Sequence, residues 1–215
     1  MLLLAFDTAT PAVTVALWGD GGALAEQAVV DSRRPGELLA SLIAKVLAGA
    51  GADVRDLTGV VAGAGPGPYT GLRAGLVTAR VLGSTLGVPA YGVCTLDVIA
   101  ADAVAGVAGE FLVATDARRR EVYWARYSAA GRLAGPAVGS PAGLGADLPV
   151  AGEGGWLYRG QLGEPVPPRY PAAATLASLA ARRIAAGDPL PPPEPLYLRR
   201  PDARVPGPPK RVTPS

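Results

Sequence analysis

An α/β fold made of two related halves is predicted by three features of this 215-residue sequence. Two apolar runs, residues 2–6 (LLLAF) and 111–115 (FLVAT), each end in an aspartate, Asp7 and Asp116, and each leads into a hairpin. Apolar residues at helical spacing recur between and after those hairpins. Hydrophobic residues make up 49% of the chain, enough for a sizeable core in one large or two small domains. The repeated opening divides the chain into an N-terminal subdomain over 1–106, a smaller C-terminal subdomain over 107–200 and a disordered tail over 201–215.

Each element follows from local pattern. Residues 2–6, 12–18 (AVTVALW) and 23–30, the last two joined by the turn GDGG, form a three-stranded antiparallel meander. Residues 36–48 read as a helix, 56–64 as a strand, 72–86 as a second helix, 90–93 as a short strand and 96–107 as a third helix. In the second half, 111–115 and 121–127 (EVYWARY) are strands, with Gly131 in the next turn. Residues 150–155 (VAGEGG) read as a strand and a glycine turn, and 173–186 as a helix. Beyond Gly187 the chain is proline-rich.

Composition removes several chemistries. There is no histidine, which excludes Ser-His-Asp and Cys-His triads, histidine zinc sites and histidine general bases. No metal site is expected. The single cysteine, Cys94, excludes an internal disulfide, suits a reducing cytosol and sits in an apolar run as an inert thiol. No apolar run has membrane-spanning length, and the first residues lack the basic flank of a signal peptide. A cytoplasmic protein without membrane contact is expected. The net charge of +2 is uneven: Arg199, Arg200, Arg204, Lys210 and Arg211 against Asp202 give the end of the chain +4, leaving −2 for residues 1–198. The body is therefore no basic nucleic-acid platform.

The most informative segment is residues 65–73, GPGPYTGLR. Strand, glycine-proline loop and helix together bring backbone N–H groups to a helix N-terminus. Gly65 and Gly67 open the backbone while Pro66 and Pro68 stiffen it. Thr70 is the expected N-cap, and Arg73, on a first turn where a cation is disfavoured, calls for an anion or acidic partner. The loop has neither a P-loop ending nor GxGxxG. The turn Asp7-Thr8-Ala9-Thr10 offers hydroxyls and N–H groups to a phosphate; Asp116 occupies the matching place, followed by Arg118, Arg119 and Arg120 instead of a glycine-rich turn. Candidate phosphate or nucleotide contacts are therefore Asp7, Thr8, Thr10, Gly65, Gly67, Thr70, Arg73 and Asp116. The first two helices carry more apolar surface than one sheet face needs, and small residues admit a close neighbour, so Leu38, Leu42, Val46, Leu72, Leu76 and Arg80 are expected at a protein interface.

DTAT, the pattern Arg33-x-x-x-Glu37-Leu38-Leu39, GPGPYTGLR, DARRREVY from Asp116 to Tyr123 and PLYLR from Pro195 to Arg199 together resemble the bacterial TsaB (YeaZ) family. The resemblance implies two ASKHA (actin-like, ribonuclease-H-like) subdomains, each a mixed sheet with helices. It implies a non-catalytic subunit for making threonylcarbamoyladenosine beside the tRNA anticodon. The implied partners are the catalytic paralogue TsaD, met through the N-terminal helices, the ATPase TsaE, and tRNA through the complex. A homodimer is expected when the chain is alone, with no cofactor of its own beyond ATP or ADP shared at the partner interface. Pro35 and Gly36 stand where many members have histidine and serine, which argues against metal binding or peptidase activity; Pro68 replaces a hydroxyl residue of the loop. The rival reading is an active ASKHA-type ATPase or phosphotransferase using Asp7 and Asp116.

Overall fold

The computed structural model describes residues 1–31, 34–144 and 147–199. The tail over 201–215 and Arg33 of the sequence motif lie outside the described residues. The expected meander is present as β1 (Leu3–Asp7), β2 (Ala12–Gly19) and β3 (Gly22–Val30). It is followed by α1 (Pro35–Ala50), β4 (Gly59–Gly63), α2 (Tyr69–Leu86), β5 (Ala90–Val93) and α3 (Thr95–Ala103). The sheet runs β3-β2-β1-β4-β5, with β4 and β5 added parallel to β1. The second half repeats this plan. β6 (Phe111–Asp116), β7 (Val122–Ser128) and β8 (Gly131–Gly139) form a meander, and β9 (Val150–Ala151) pairs parallel with β6, in the order β8-β7-β6-β9. Two mixed sheets with one topology bear out the predicted class.

Residues expected to form a glycine turn after β9 instead make a short helix, α4 (Glu153–Leu157), in which Gly154 and Gly155 are buried. A Cβ at Gly154 would lie 2.8 Å from that of Ala114, so glycine there serves close packing on β6. The last helix, α5 (Ala173–Ala186), has the predicted bounds but not the predicted place. Leu176, Ala177 and Ala180 pack on Leu3, Ala5 and Val61 of the first sheet, so a boundary that assigns all of 107–200 to the second half does not hold.

This crossing explains why the first sheet reads as continuous apolar runs. Leu4 and Phe6 of β1, Val13, Val15 and Leu17 of β2 and Val60 and Ala62 of β4 meet α1 and α2, while Leu3, Ala5 and Val61 meet α5 on the other face. A sheet covered on both faces needs no polar alternation. α3 joins the halves: Val98 packs with α5, whereas Leu96 and Ile99 pack with Phe111 and Val113 of the second sheet. From α5 the chain returns along the first half. The Gly92 amide donates to the Pro191 carbonyl (2.8 Å) and the Leu196 amide to the Ala64 carbonyl (2.9 Å). Arg199 then pairs with Glu121 of the second half.

Candidate functional site

The three-layer first half corrects the expected interface. Leu42, Val46, Leu72 and Leu76 are buried in the core with Phe6 and Val15, and Leu38 is half-buried at its edge. Their stripe faces the sheet because that face is wide enough to take both helices. What α2 presents outward is another row, with Val77 53% and Val81 56% exposed. α1, which packs against α2, exposes Ala40, Ser41, Ala44 and Ala48. Arg80 is exposed as expected, but its Nε donates to the Pro193 carbonyl (3.1 Å) and its guanidinium pairs with Glu194 (3.7 Å).

The corner over 65–73 is anchored on the DTAT turn. A Cβ at Gly67 would lie 2.2 Å from the Ala9 carbonyl oxygen, and one at Gly71 2.5 Å from that of Thr8. The Thr8 hydroxyl donates to the Gly71 carbonyl (2.7 Å) and accepts from the Gly75 amide (3.1 Å). The Thr10 hydroxyl bonds back to Ala12 within its own turn (3.3 Å). The Gly65 amide donates to the Thr95 hydroxyl (3.2 Å). Thr70 is exposed and is not the cap: Pro68 holds that position, and α2 has neither a side-chain cap nor an acidic residue in its first turn. The Arg73 guanidinium lies over the Tyr69 ring (4.8 Å) and donates to the Tyr69 hydroxyl (2.7 Å).

Asp7 is fully buried. Its Oδ1 accepts from the Ala9 amide (2.7 Å) and its Oδ2 from the Thr95 hydroxyl (2.7 Å), tying the end of β1 to the start of α3. Burial raises its pKa above the usual carboxylate value, against the lowering effect of those two hydrogen bonds. The native state thus binds this proton more tightly than the unfolded chain. The stability this confers is fully present below the unfolded pKa and is lost as pH rises through the folded one. Asp7→Asn, which removes the charge and keeps an acceptor for Ala9, is therefore expected to raise the melting temperature at pH 7.5, by a margin that shrinks towards pH 4. Thermal melts of both proteins across that range measure it.

Asp116 is engaged within its own turn, its Oδ1 accepting from the Arg118 amide (2.9 Å) and its Oδ2 facing the Arg118 guanidinium (3.4 Å). Arg118, Arg119 and Arg120 have φ of 63°, 56° and 60°, the left-handed region that non-glycine residues rarely enter. Cys94 is pushed up to about 11 by burial and by Asp97, so its thiol stays protonated and unreactive.

Among the cavities that open where the halves meet, two adjoin the 65–73 corner. The smaller, about 290 Å³, lies between Thr8, Thr10, Pro35, Thr70 and Arg118. Pro35 fits there because the first helical position needs no N–H. The larger, about 590 Å³, is lined by Tyr69, Tyr123, Tyr197, Arg118, Arg119 and Arg199 among others. Of the predicted contacts, the structure brings Thr8, Thr10, Thr70 and Gly67 to these cavities, where Arg118 joins them, and leaves Gly65, Arg73 and Asp116 outside their lining and Asp7 buried. The three tyrosines were not among the predicted site residues. All three lie in the motifs GPGPYTGLR, DARRREVY and PLYLR, the sequence signal that marks them.

A sequence model of the family described as TsaD, tRNA N6-adenosine threonylcarbamoyltransferase, matches residues 26–152, more than half of the chain. The chain belongs to that family. Within it the chain is TsaB/YeaZ-like. It is 38% identical to the tRNA threonylcarbamoyladenosine biosynthesis protein TsaB of Escherichia coli over 128 residues, 59% of this chain and 55% of that protein. YeaZ from Pseudomonas aeruginosa superposes with a TM-score of 0.79 at 29% identity, covering 92% of this chain and 99% of that one. An uncharacterized protein of Mycobacterium tuberculosis is 45% identical over 208 residues, 94% of this chain and 93% of that protein. The structural match spans both sheets, so the two-subdomain architecture belongs to the family. Among the described residues, no helix is long and apolar enough to cross a membrane.

Proposed function

We propose that the chain is a non-catalytic subunit of a complex that transfers threonylcarbamoyl to adenosine next to the tRNA anticodon, paired with a TsaD-type catalytic subunit. The observation that carries this reading is the outward row of α1 and α2. Val77 and Val81 are exposed on α2, and α1, which packs against it, exposes Ala40, Ser41, Ala44 and Ala48, small enough for a partner's helices to approach closely. The leucines beneath them hold the helices to the sheet. Without its partner the same face serves a second copy of the chain. A TsaE-like ATPase and tRNA join through the complex in the cytoplasm, and any ATP or ADP is shared at the partner interface.

The test is co-elution with a TsaD-type partner. Val77→Arg with Val81→Arg is expected to weaken assembly at least tenfold while leaving the melting temperature within a few degrees, because surface changes cost little stability. Assembly unaffected by both substitutions would reject this face.

The ATPase reading draws on the identical ends of β1 and β6 at Asp7 and Asp116. Against it stand the burial of Asp7, the hydrogen bonds that engage both carboxylates, and the arginines at the second turn. ATP hydrolysis by the isolated protein, abolished by Asp7→Asn, would restore it.

A further inference from the structure

The larger cavity has a chemistry that subunit pairing does not use. Two of the rings that line it are stacked: Tyr69 lies against Tyr197 with ring centroids 5.6 Å apart and 22° between planes, and outside the lining the Arg73 guanidinium lies over Tyr69. Tyr197 remains 49% exposed and lines the cavity, so a further flat ring extends the stack as its next layer. Tyr123 lines another part. Burial and the Asp116 carboxylate raise its pKa, so it remains a neutral hydrogen-bond donor. At about 590 Å³ the space falls within the roughly 300–1,000 Å³ typical of ligand sites.

The rim is cationic although residues 1–198 as a whole are net negative. Arg118 and Arg119 line the cavity from a turn held in left-handed backbone conformations; among the described residues, no other non-glycine residue has a positive φ. Such geometry costs free energy and recurs at functional sites. The uncapped first turn of α2 adds its partial positive charge from the other side. Flat tyrosine faces beside guanidinium groups are the chemistry that holds a base and its phosphate. The turn after β6, ARRRE, supplies side-chain cations where a free nucleoside triphosphate would need a glycine-lined N–H cradle.

We infer that this cleft docks one nucleotide of a single-stranded RNA, its base stacked on Tyr197 and its phosphate met by Arg118. The inference rests on the tRNA-related reading above and adds to it a direct RNA contact on this subunit.

The experiment is a fluorescence-anisotropy titration of the full chain against a labelled single-stranded RNA of about eight nucleotides. Tyr197→Ala is expected to weaken binding about tenfold, and Tyr197→Phe, which keeps the ring, to restore it to within about twofold. Arg118→Gln removes a side chain that is 63% exposed, so it reads the site without disturbing the core. It is expected to reduce the slope of log affinity against log salt concentration by about one. Binding that is absent in the wild type, or unchanged in both Tyr197→Ala and Arg118→Gln, overturns the assignment. Displacement of the RNA by ATP at lower concentration than by unlabelled RNA also overturns it, in favour of a free nucleotide. If the cleft variants bind RNA like wild type while Val77→Arg with Val81→Arg still breaks assembly, the RNA site falls and the subunit reading stands. The reverse pattern rejects the helix face alone.

Discussion

Gly67→Ala is expected to lower the melting temperature by roughly 10 °C, the effect of about 3 kcal/mol on a chain of this size. The added Cβ would stand 2.2 Å from the Ala9 carbonyl oxygen and 2.8 Å from the Ala9 Cβ. Neither neighbour is the free end of a flexible side chain; both belong to the tight turn between β1 and β2. Either that turn or the corner must move, and the corner carries the start of α2. The Thr8 hydrogen bonds to Gly71 and Gly75 would lengthen with it. Thermal denaturation followed by circular dichroism measures the shift. The same displacement moves Tyr69 away from Tyr197, so RNA binding should weaken in the folded variant as well. A melting temperature within a degree of wild type would show that the corner accommodates the methyl group and does not brace the helix.

Leu72→Ala is expected to cost about 3 to 4 kcal/mol, within the range for deleting a buried leucine from a packed core. Leu72 is fully buried among Phe6, Ala9 and the other residues between the sheet and the first two helices. Its terminal methyls sit against the corner, where a Cβ on Gly65 would meet them at 3.1 and 3.2 Å. Removing the side chain leaves a cavity under the helix start that backbone on two sides keeps from collapsing. Urea denaturation should show a lower midpoint with an unchanged slope. This result separates the two readings of the leucine row. An interface residue exposed in the free subunit would leave the isolated chain's stability nearly unaltered, whereas Leu72 should unfold it without any partner present. Val77→Arg with Val81→Arg, one turn further out, should do the opposite.

That inversion on α2 shows where sequence pattern stopped being informative. Leu72, Leu76, Val77 and Val81 are all apolar, and nothing in their spacing says which pair faces the sheet. The expectation of a partner on the leucines assumed a two-layer subdomain. It does not hold, because the sheet face carrying Phe6 and Val15 is wide enough to take the leucines of both helices, while α5, more than 80 residues later in the chain, covers the opposite face. Local pattern fared better within single elements. The helix over 173–186 was placed to the residue, since its apolar spacing ends at a left-handed glycine, Gly187. Residues 150–155 go the other way: their glycine pair predicts a turn, but Gly154 packs on Ala114 within a short helix.

The cleft divides along the same line. DTAT and GPGPYTGLR announced a shaped corner, because glycine, proline and threonine restrict the backbone whatever surrounds them. Their contact with each other, and the burial of Asp7 that follows, depends on a parallel pairing of β1 with β4 across more than 50 residues. Tyr69, Tyr123 and Tyr197 are also far apart in the chain and line one cavity because the segment after α5 returns past the corner towards the second sheet.

The sequence alone determined the class of fold, most of its elements, the family and the absence of histidine chemistry, since each is carried by residue type and short-range spacing. The tertiary structure decided which side of each helix is free, that Asp7 is an internal tie, and that three tyrosines and a cationic turn share one cleft. Those outcomes depend on which distant segments exclude water from one another, and that is a property of the packed chain rather than of any window along it.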